Sequence, residues 1–308
     1  MTSLDFGSLV LGGNVFGWTA DRDTSFAVLD AFLESGGVAI DTADSYMQRV
    51  PGNSGGESET IIGEWMTSRG SRDRVQVHTK VFGKHDRAGL SAANIAAAVD
   101  DSLRRLQTDH IDLYYAHRDD ESVPQEDYVS AFDALVRAGK VREVGASNFS
   151  ATRLSSALDI AAAQGSTPFT VAQNLWNLVE RSIETDLVPT LRERGITQLP
   201  YSSLASGFLT GKYRPGQDVT SVRSGSASAY LTRPGATALL RVLDEVAAAH
   251  ATSVAAVALA WLREQDPVGA PIASARTLTQ VQPLVDSAAV HLSADDLAAL
   301  TRASDDLG

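Results

Sequence analysis

The sequence predicts a single α/β domain, residues 1–308, folded as one (β/α)8 (TIM) barrel with long loops at its C-terminal face. Three observations lead there. Short apolar runs without internal alternation read as strands buried on both faces, which pair in parallel and need helical crossovers. About eight such runs, each followed by a longer amphipathic segment, occupy a chain of 308 residues, the size of one closed barrel. The first β–α turn, in LVLGGNVFGWT, holds Gly12, Gly13 and Gly17 but lacks the G-x-G-x-x-G spacing of a doubly wound dinucleotide sheet, so the closed barrel is preferred to the open one.

The elements follow in order. Strand candidates are Leu9–Gly12, Val38–Asp41, Val75–Lys80, Ile111–His117, Val141–Ser147, Phe169–Asn174, Ile196–Tyr201 and Val268–Ala273. A helix over Thr24–Ser35 begins after Asp23, and Glu59–Thr67 follows the N-cap candidate Ser58. Ser91–Leu106 opens on a cap-type serine, because a short side-chain oxygen there accepts from a free amide of the first turn. Val129–Ala138, Ala151–Gln164 and Thr185–Arg194 stop at Gly139, Gly165 and Gly195, residues that take the left-handed conformation ending a helix. Thr237–Ala249, Ser253–Glu264 and Ala294–Arg302 complete the helical set. Between Ala205 and Ala236 the chain is rich in Gly, Ser, Arg and Pro with little periodicity. A loop that long in a compact domain is usually functional.

Composition removes whole classes of function. There are no cysteines, so disulfides, thiolate metal sites and cysteine nucleophiles are excluded. A formal charge of −12 opposes nucleic-acid binding, which needs a basic surface. The start, MTSLDFGSLVLGG, has no basic region before an apolar core, and no run of about 18 apolar residues suggests a membrane span. A cytoplasmic protein is the expectation. The six histidines show no metal-ligand spacing, and GNSGGESE lacks the G-K-[ST] of a phosphate-binding loop.

In a barrel, polar residues at C-terminal strand ends share one mouth. Asp41 ends the second strand in AIDTADSY, with Tyr46 following in the loop; Lys80 ends the third in VQVHTK and His117 the fourth in IDLYYAH. Each alone has a plainer reading: a helix cap, packing, a solvated amine, a structural histidine. Together they make chemical sense. A phenol of pKa about 10 is a poor acid at neutral pH, a neighbouring ammonium lowers that value, a carboxylate keeps the ammonium charged, and an imidazole directs a carbonyl oxygen toward the phenol.

The segments GGNVFGWT, DTADSY, GGESETIIGEWM, VHTKV, IDLYYAHRDD and LVRAGKVREVGASNF resemble, in order and spacing, the aldo-keto reductase superfamily. The resemblance runs from about Leu9 to about Val285. It implies reversible NADPH-dependent reduction of a small-molecule aldehyde or ketone, with Asp41, Tyr46, Lys80 and His117 as catalytic residues: Tyr46 the general acid, Lys80 tuning it, Asp41 paired to Lys80, His117 orienting the substrate oxygen. It also implies that Ser147, Asn148 and Gln173 bind the nicotinamide amide and that Tyr201 stacks on its ring. Ser202, Leu204, Ser206, Gly207 and Lys212 would cover the pyrophosphate, and Ser274, Arg276 and Gln280 would meet the adenosine 2′-phosphate and adenine. Arg276 favours NADP over NAD, with NAD still possible, because a fixed cation suits a dianionic phosphate. The chain departs from the pattern where Ala273–Ser274 replaces Pro–Gly and where Pro283 and Leu284 stand for Glu and Asn.

Trp18, Phe82 and Trp176 fall where the family's pockets are often aromatic, and Arg118 follows His117; together they suggest an apolar cleft with one cation at its rim. The short tail after Arg302 suggests an open pocket. Alternatives are a Schiff-base lyase using Lys80 and a cofactor-binding regulatory subunit with little turnover. A glycosidase would need two facing carboxylates, and the seventh strand ends in Tyr201 instead.

Overall fold

The computed structural model describes residues 2–217, 219 and 224–307. Its parallel sheet has eight strands: β1 (Val10–Gly12), β2 (Ala39–Asp41), β3 (Gln76–Val81), β4 (Ile111–Ala116), β5 (Val141–Ser147), β6 (Val171–Gln173), β7 (Thr197–Gln198) and β8 (Ile272–Ala273). They follow the order β8-β1-β2-β3-β4-β5-β6-β7. The ring closes between β7 and the chain entering β8, where Gln198 bridges Val268 in parallel and the Gly269 amide donates to the Gln198 carbonyl at 2.9 Å. The fold is thus the expected (β/α)8 barrel, although β7 and β8 are shorter than their apolar runs. The remaining residues of those runs pair outside the regular strands: the Leu199 and Tyr201 amides donate to the Ala172 and Asn174 carbonyls, and Val268 and Gly269 meet Gln198.

Alternation along each strand separates two cores. Val10, Ala39, Leu113, Tyr115, Val171, Leu199 and Ile272 point inward and, with Phe6, fill the barrel. Leu11, Ile40, Val77, Val144 and Ala172 point outward against the helices. Gly145 has a steric role: a Cβ there would lie 2.6 Å from the Tyr115 ring, which occupies that space.

The helices are α1 (Arg22–Glu34), α2 (Glu57–Arg69), α3 (Ala92–Leu106), α4 (Gln125–Arg137), α5 (Ala151–Gln164), α6 (Leu187–Arg194), α7 (Ser224–Leu231), α8 (Ala236–Ala249), α9 (Val254–Arg263), α10 (Val281–Val285) and α11 (Ala294–Asp305). Several helix starts differ from expectation. Asp21, not Asp23, caps α1 by accepting from the Thr24 amide at 2.9 Å. Ser58 lies inside α2, whose N-cap is Gly56 at φ 94°. The buried Ser58 hydroxyl instead donates to the Gly13 carbonyl at 2.8 Å and accepts from Thr42 at 2.8 Å, tying α2 to the ends of β1 and β2. Helix α4 begins a turn earlier than expected, after Pro124. The segment from Ala205 to Ala236 is not a plain loop. It holds a 3-10 stretch, Ala205–Thr210, and α7; its residues 218 and 220–223 lie outside the described residues.

Candidate active site

Strand register sets the site. Asp41 pairs with His78, Lys80 with Tyr115 and Ser147 with Gln173, so the C-terminal ends of β2, β3, β5 and β6 reach one rim. The loop after β2 is stitched to β3 by the Thr42 amide on the His78 carbonyl (2.8 Å) and the Asp44 amide on the Lys80 carbonyl (3.2 Å). That stitching returns Tyr46 over the strand end.

Beneath the rim, the Lys80 ammonium is fully buried and uses all three of its donors. It donates to Asp41 Oδ2 at 2.6 Å, to the Thr42 carbonyl at 2.7 Å and to the Tyr46 hydroxyl at 3.0 Å. Asp41 is 2% exposed, and its other oxygen accepts from Gln173 Nε2 at 2.8 Å. The Tyr46 hydroxyl lies 3.4 Å from Asp41 Oδ2, a long contact that leaves the phenolic hydrogen little held. The His117 ring meets the Tyr46 ring edge-on, centroids 6.0 Å apart. The structure therefore gathers Asp41, Tyr46, Lys80 and His117, with the amine under the phenol rather than open to the cleft.

The electrostatics correct one expectation. Burial, then the Asp41 carboxylate, hold the Tyr46 phenol well above its ordinary range rather than below it. Desolvation opposes the phenolate, and the Asp41 carboxylate acts in the same direction. Burial lowers the Lys80 ammonium, and Asp41 works against that shift. Burial, Lys80 and Arg118 bring His117 down to about 3, so its imidazole is neutral at physiological pH.

Above these groups opens a cleft of about 1130 Å³. Asp41, Tyr46 and His117 line one end, and Ser274, Arg276 and Gln280 the other. Between them lie Ser147, Asn148, Gln173 and Tyr201, followed by Ser202, Leu204, Ser206, Gly207 and Lys212. The Tyr201 hydroxyl donates to Asn148 Oδ1 at 2.8 Å, and Asn148 Nδ2 donates to the His117 carbonyl at 2.9 Å, so the aromatic face is held in place. Asn148, Ser202, Ala205 and Ser206 sit at φ of 57°, 53°, 46° and 56°. Backbone strain of this kind collects at working sites, and here it falls on residues that line the cleft or adjoin it.

The pocket residues divide. Arg118 lines the cleft, with its guanidinium 5.3 Å from the Phe82 ring; Phe82 itself lies behind that cation. Trp18 borders a side cavity of about 410 Å³ that shares Tyr46 with the main cleft. Trp176 is not a pocket residue. It is 1% exposed in the core with Leu178, Phe208 and Trp261, and its indole donates to Glu184 at 2.8 Å. An indole within an apolar run reads the same whether it faces a mouth or a core. Asn14 was not foreseen: it lines the cleft and accepts from Ser274 Oγ at 2.7 Å. The serine that replaces glycine at 274 was its only sequence trace.

The aldo/keto reductase family model matches residues 8–305. The chain belongs to the aldo/keto reductase family. It is 34% identical to norsolorinic acid reductase B of Aspergillus parasiticus, over 96% of this chain and 78% of that one. It is 32% identical to the aldo-keto reductase ausK of Aspergillus calidoustus (100% and 80%) and 30% identical to an aryl-alcohol dehydrogenase (NADP(+)) of Phanerodontia chrysosporium (91% and 75%). This aldo/keto reductase is therefore an oxidoreductase of a family that reduces carbonyl compounds with nicotinamide cofactors.

Proposed function

We propose that this chain reduces an aldehyde or ketone with NADPH, the Tyr46 hydroxyl supplying the proton. The observation that carries the reading is the Lys80 ammonium, buried and 3.0 Å from the Tyr46 hydroxyl at the base of the cleft.

The cleft suits a phosphorylated dinucleotide. Lys212 and Arg276 line it with no carboxylate partner among the described residues, beside the small residues Ser202, Ser206 and Gly207. A fixed cation beyond the adenine end matches a 2′-phosphate and favours NADP over NAD. Ser147, Asn148 and Gln173 would hold the carboxamide, and Tyr201 the ring. A nicotinamide cofactor held there would supply the hydride that the carbonyl carbon needs. Tyr46 would give its proton to the carbonyl oxygen, so that C=O becomes C–OH and the charge is left on the phenolate beside Lys80. The raised phenol pKa keeps that proton in place until it is needed. The Lys80 ammonium stabilises the phenolate as it forms, and Asp41 fixes the ammonium. Neutral His117 donates its N–H toward the carbonyl oxygen and sets its position.

A Schiff base on Lys80 is less consistent with the geometry, because all three of its donors are committed and its nitrogen lies beneath Tyr46. The test is to supply aldehydes and ketones with NADPH or NADH and follow nicotinamide absorbance. Carbonyl-dependent oxidation, faster with NADPH, is expected; NADPH left unconsumed across a broad carbonyl panel overturns the proposal and favours a cofactor-binding regulatory role.

A further inference from the structure

We infer that Arg118 binds an anionic group of the substrate, making the preferred substrate a carbonyl compound that also carries a carboxylate. This deepens, and rests on, the carbonyl-reductase reading.

The charges of the cleft carry the argument. The chain is strongly acidic, −12 formally, yet the uncommitted charges along this cleft are mostly cations. Asp41 is spent on Lys80. Asp119, next to Arg118 in sequence, is turned onto Arg153 through contacts of 2.5 Å and 3.0 Å and accepts from Tyr128 at 3.1 Å. Glu121 also borders the cleft, with no ion pair to Arg118. Lys212, between the two ends, and Arg276, at the far end, line the stretch assigned to the cofactor phosphates. That leaves Arg118 at the carbonyl end, one residue beyond His117.

Arg118 is exposed at the cleft, with Phe82 as its ring neighbour. The guanidinium lies over the Phe82 ring at 5.3 Å, a cation–π contact that uses none of its N–H donors and leaves them for a ligand. Its charge is felt by two site residues, lowering His117 and acting against the rise of Tyr201. Among the described residues no carboxylate pairs with it. A planar fork of donors matches a carboxylate in two parallel hydrogen bonds. With the Phe82 ring beside the cation, the rim suits an arene or short apolar spacer between carbonyl and acid.

The test compares 4-carboxybenzaldehyde with 4-formylbenzamide, a neutral molecule of nearly the same shape. The wild type is expected to prefer the acid by about tenfold or more in kcat/KM, the scale of a charge-assisted pair at an open rim. Arg118→Gln should bring that ratio close to one, and Arg118→Lys should keep part of it. Raising the salt should shrink the wild-type preference. An acid-to-amide ratio that is the same in wild type and Arg118→Gln overturns the inference. If neither compound is reduced, the broader carbonyl panel decides the reductase reading. Calorimetric titration of both compounds, with and without NADP+, then judges Arg118 separately. Tighter binding of the acid by wild type but not by Arg118→Gln supports it, and equal binding overturns it.

Discussion

Replacing Lys80 by Met removes the ammonium that touches the Tyr46 hydroxyl, and the structure sets the size of the effect. A unit negative charge on the phenol, 3.0 Å from that nitrogen, gains about 5.5 kcal/mol at an effective dielectric of about 20. A half-formed phenolate in the transition state gains about half of that, on the order of a 100-fold effect on turnover. The same substitution strands Asp41, which is 2% exposed and loses its cation. Stranding a buried charge costs about 3–5 kcal/mol, or roughly 5–8 °C in melting temperature for a chain of this length. The two effects are separable. Asp41→Asn with Lys80→Met removes the orphaned charge while still accepting from Gln173, so most of the stability should return with turnover still about 100-fold low. NADPH consumption and a thermal melt on the three proteins decide it. The reasoning fails if activity returns along with stability in the double variant, or if Lys80→Met alone turns over within about threefold of wild type.

The other expectations are simpler. Arg276→Leu should raise the KM for NADPH about tenfold or more and leave that for NADH nearly unchanged, because the cation is assigned to a charge-assisted pair with the 2′-phosphate; parallel changes with both cofactors would contradict it. Trp176→Ala should cost about 3–5 kcal/mol of stability as a core truncation, with carbonyl KM unmoved; a KM change without loss of stability would return Trp176 to the pocket. His78 and His117 are both held down to about 3 by burial, below the unfolded value of about 6.5. The unfolded chain therefore takes up protons first. The resulting penalty is absent above about pH 6.5, grows as pH falls and is complete near the folded values, reaching about 2 kcal/mol per group at about pH 5. His78→Leu should flatten the fall of melting temperature between about pH 6.5 and 5, since both nitrogens of His78 lack partners; an unchanged slope would exclude His78 as a source.

Much of the fold was legible because the barrel uses unbroken buried strands, and strands of that kind show in the sequence without any partner. Their spacing also placed Asp41, Lys80 and His117 at strand ends, the positions from which they meet Tyr46. What stayed hidden depends on tertiary contacts. Ser58 looks like a helix cap, but the close approach of β1 and β2 draws it inside α2 to serve Gly13 and Thr42. Trp176 reads as a pocket aromatic until Glu184 and the packing beside α8 and α9 account for it. Helix α7 lies in a Ser- and Gly-rich stretch whose own propensity argues against it. The direction of the Tyr46 shift turned on burial of the loop after β2, which a list of neighbouring charges does not contain. Asn14 came into view only through its hydrogen bond to Ser274.

The central claim is that the Tyr46 hydroxyl hands its proton to the carbonyl oxygen. Tyr46→Phe, assayed for NADPH binding by fluorescence and for carbonyl-dependent NADPH consumption, tests it most directly. Unchanged cofactor affinity with turnover reduced by about 100-fold or more is the predicted result. Wild-type turnover in that variant would contradict the account.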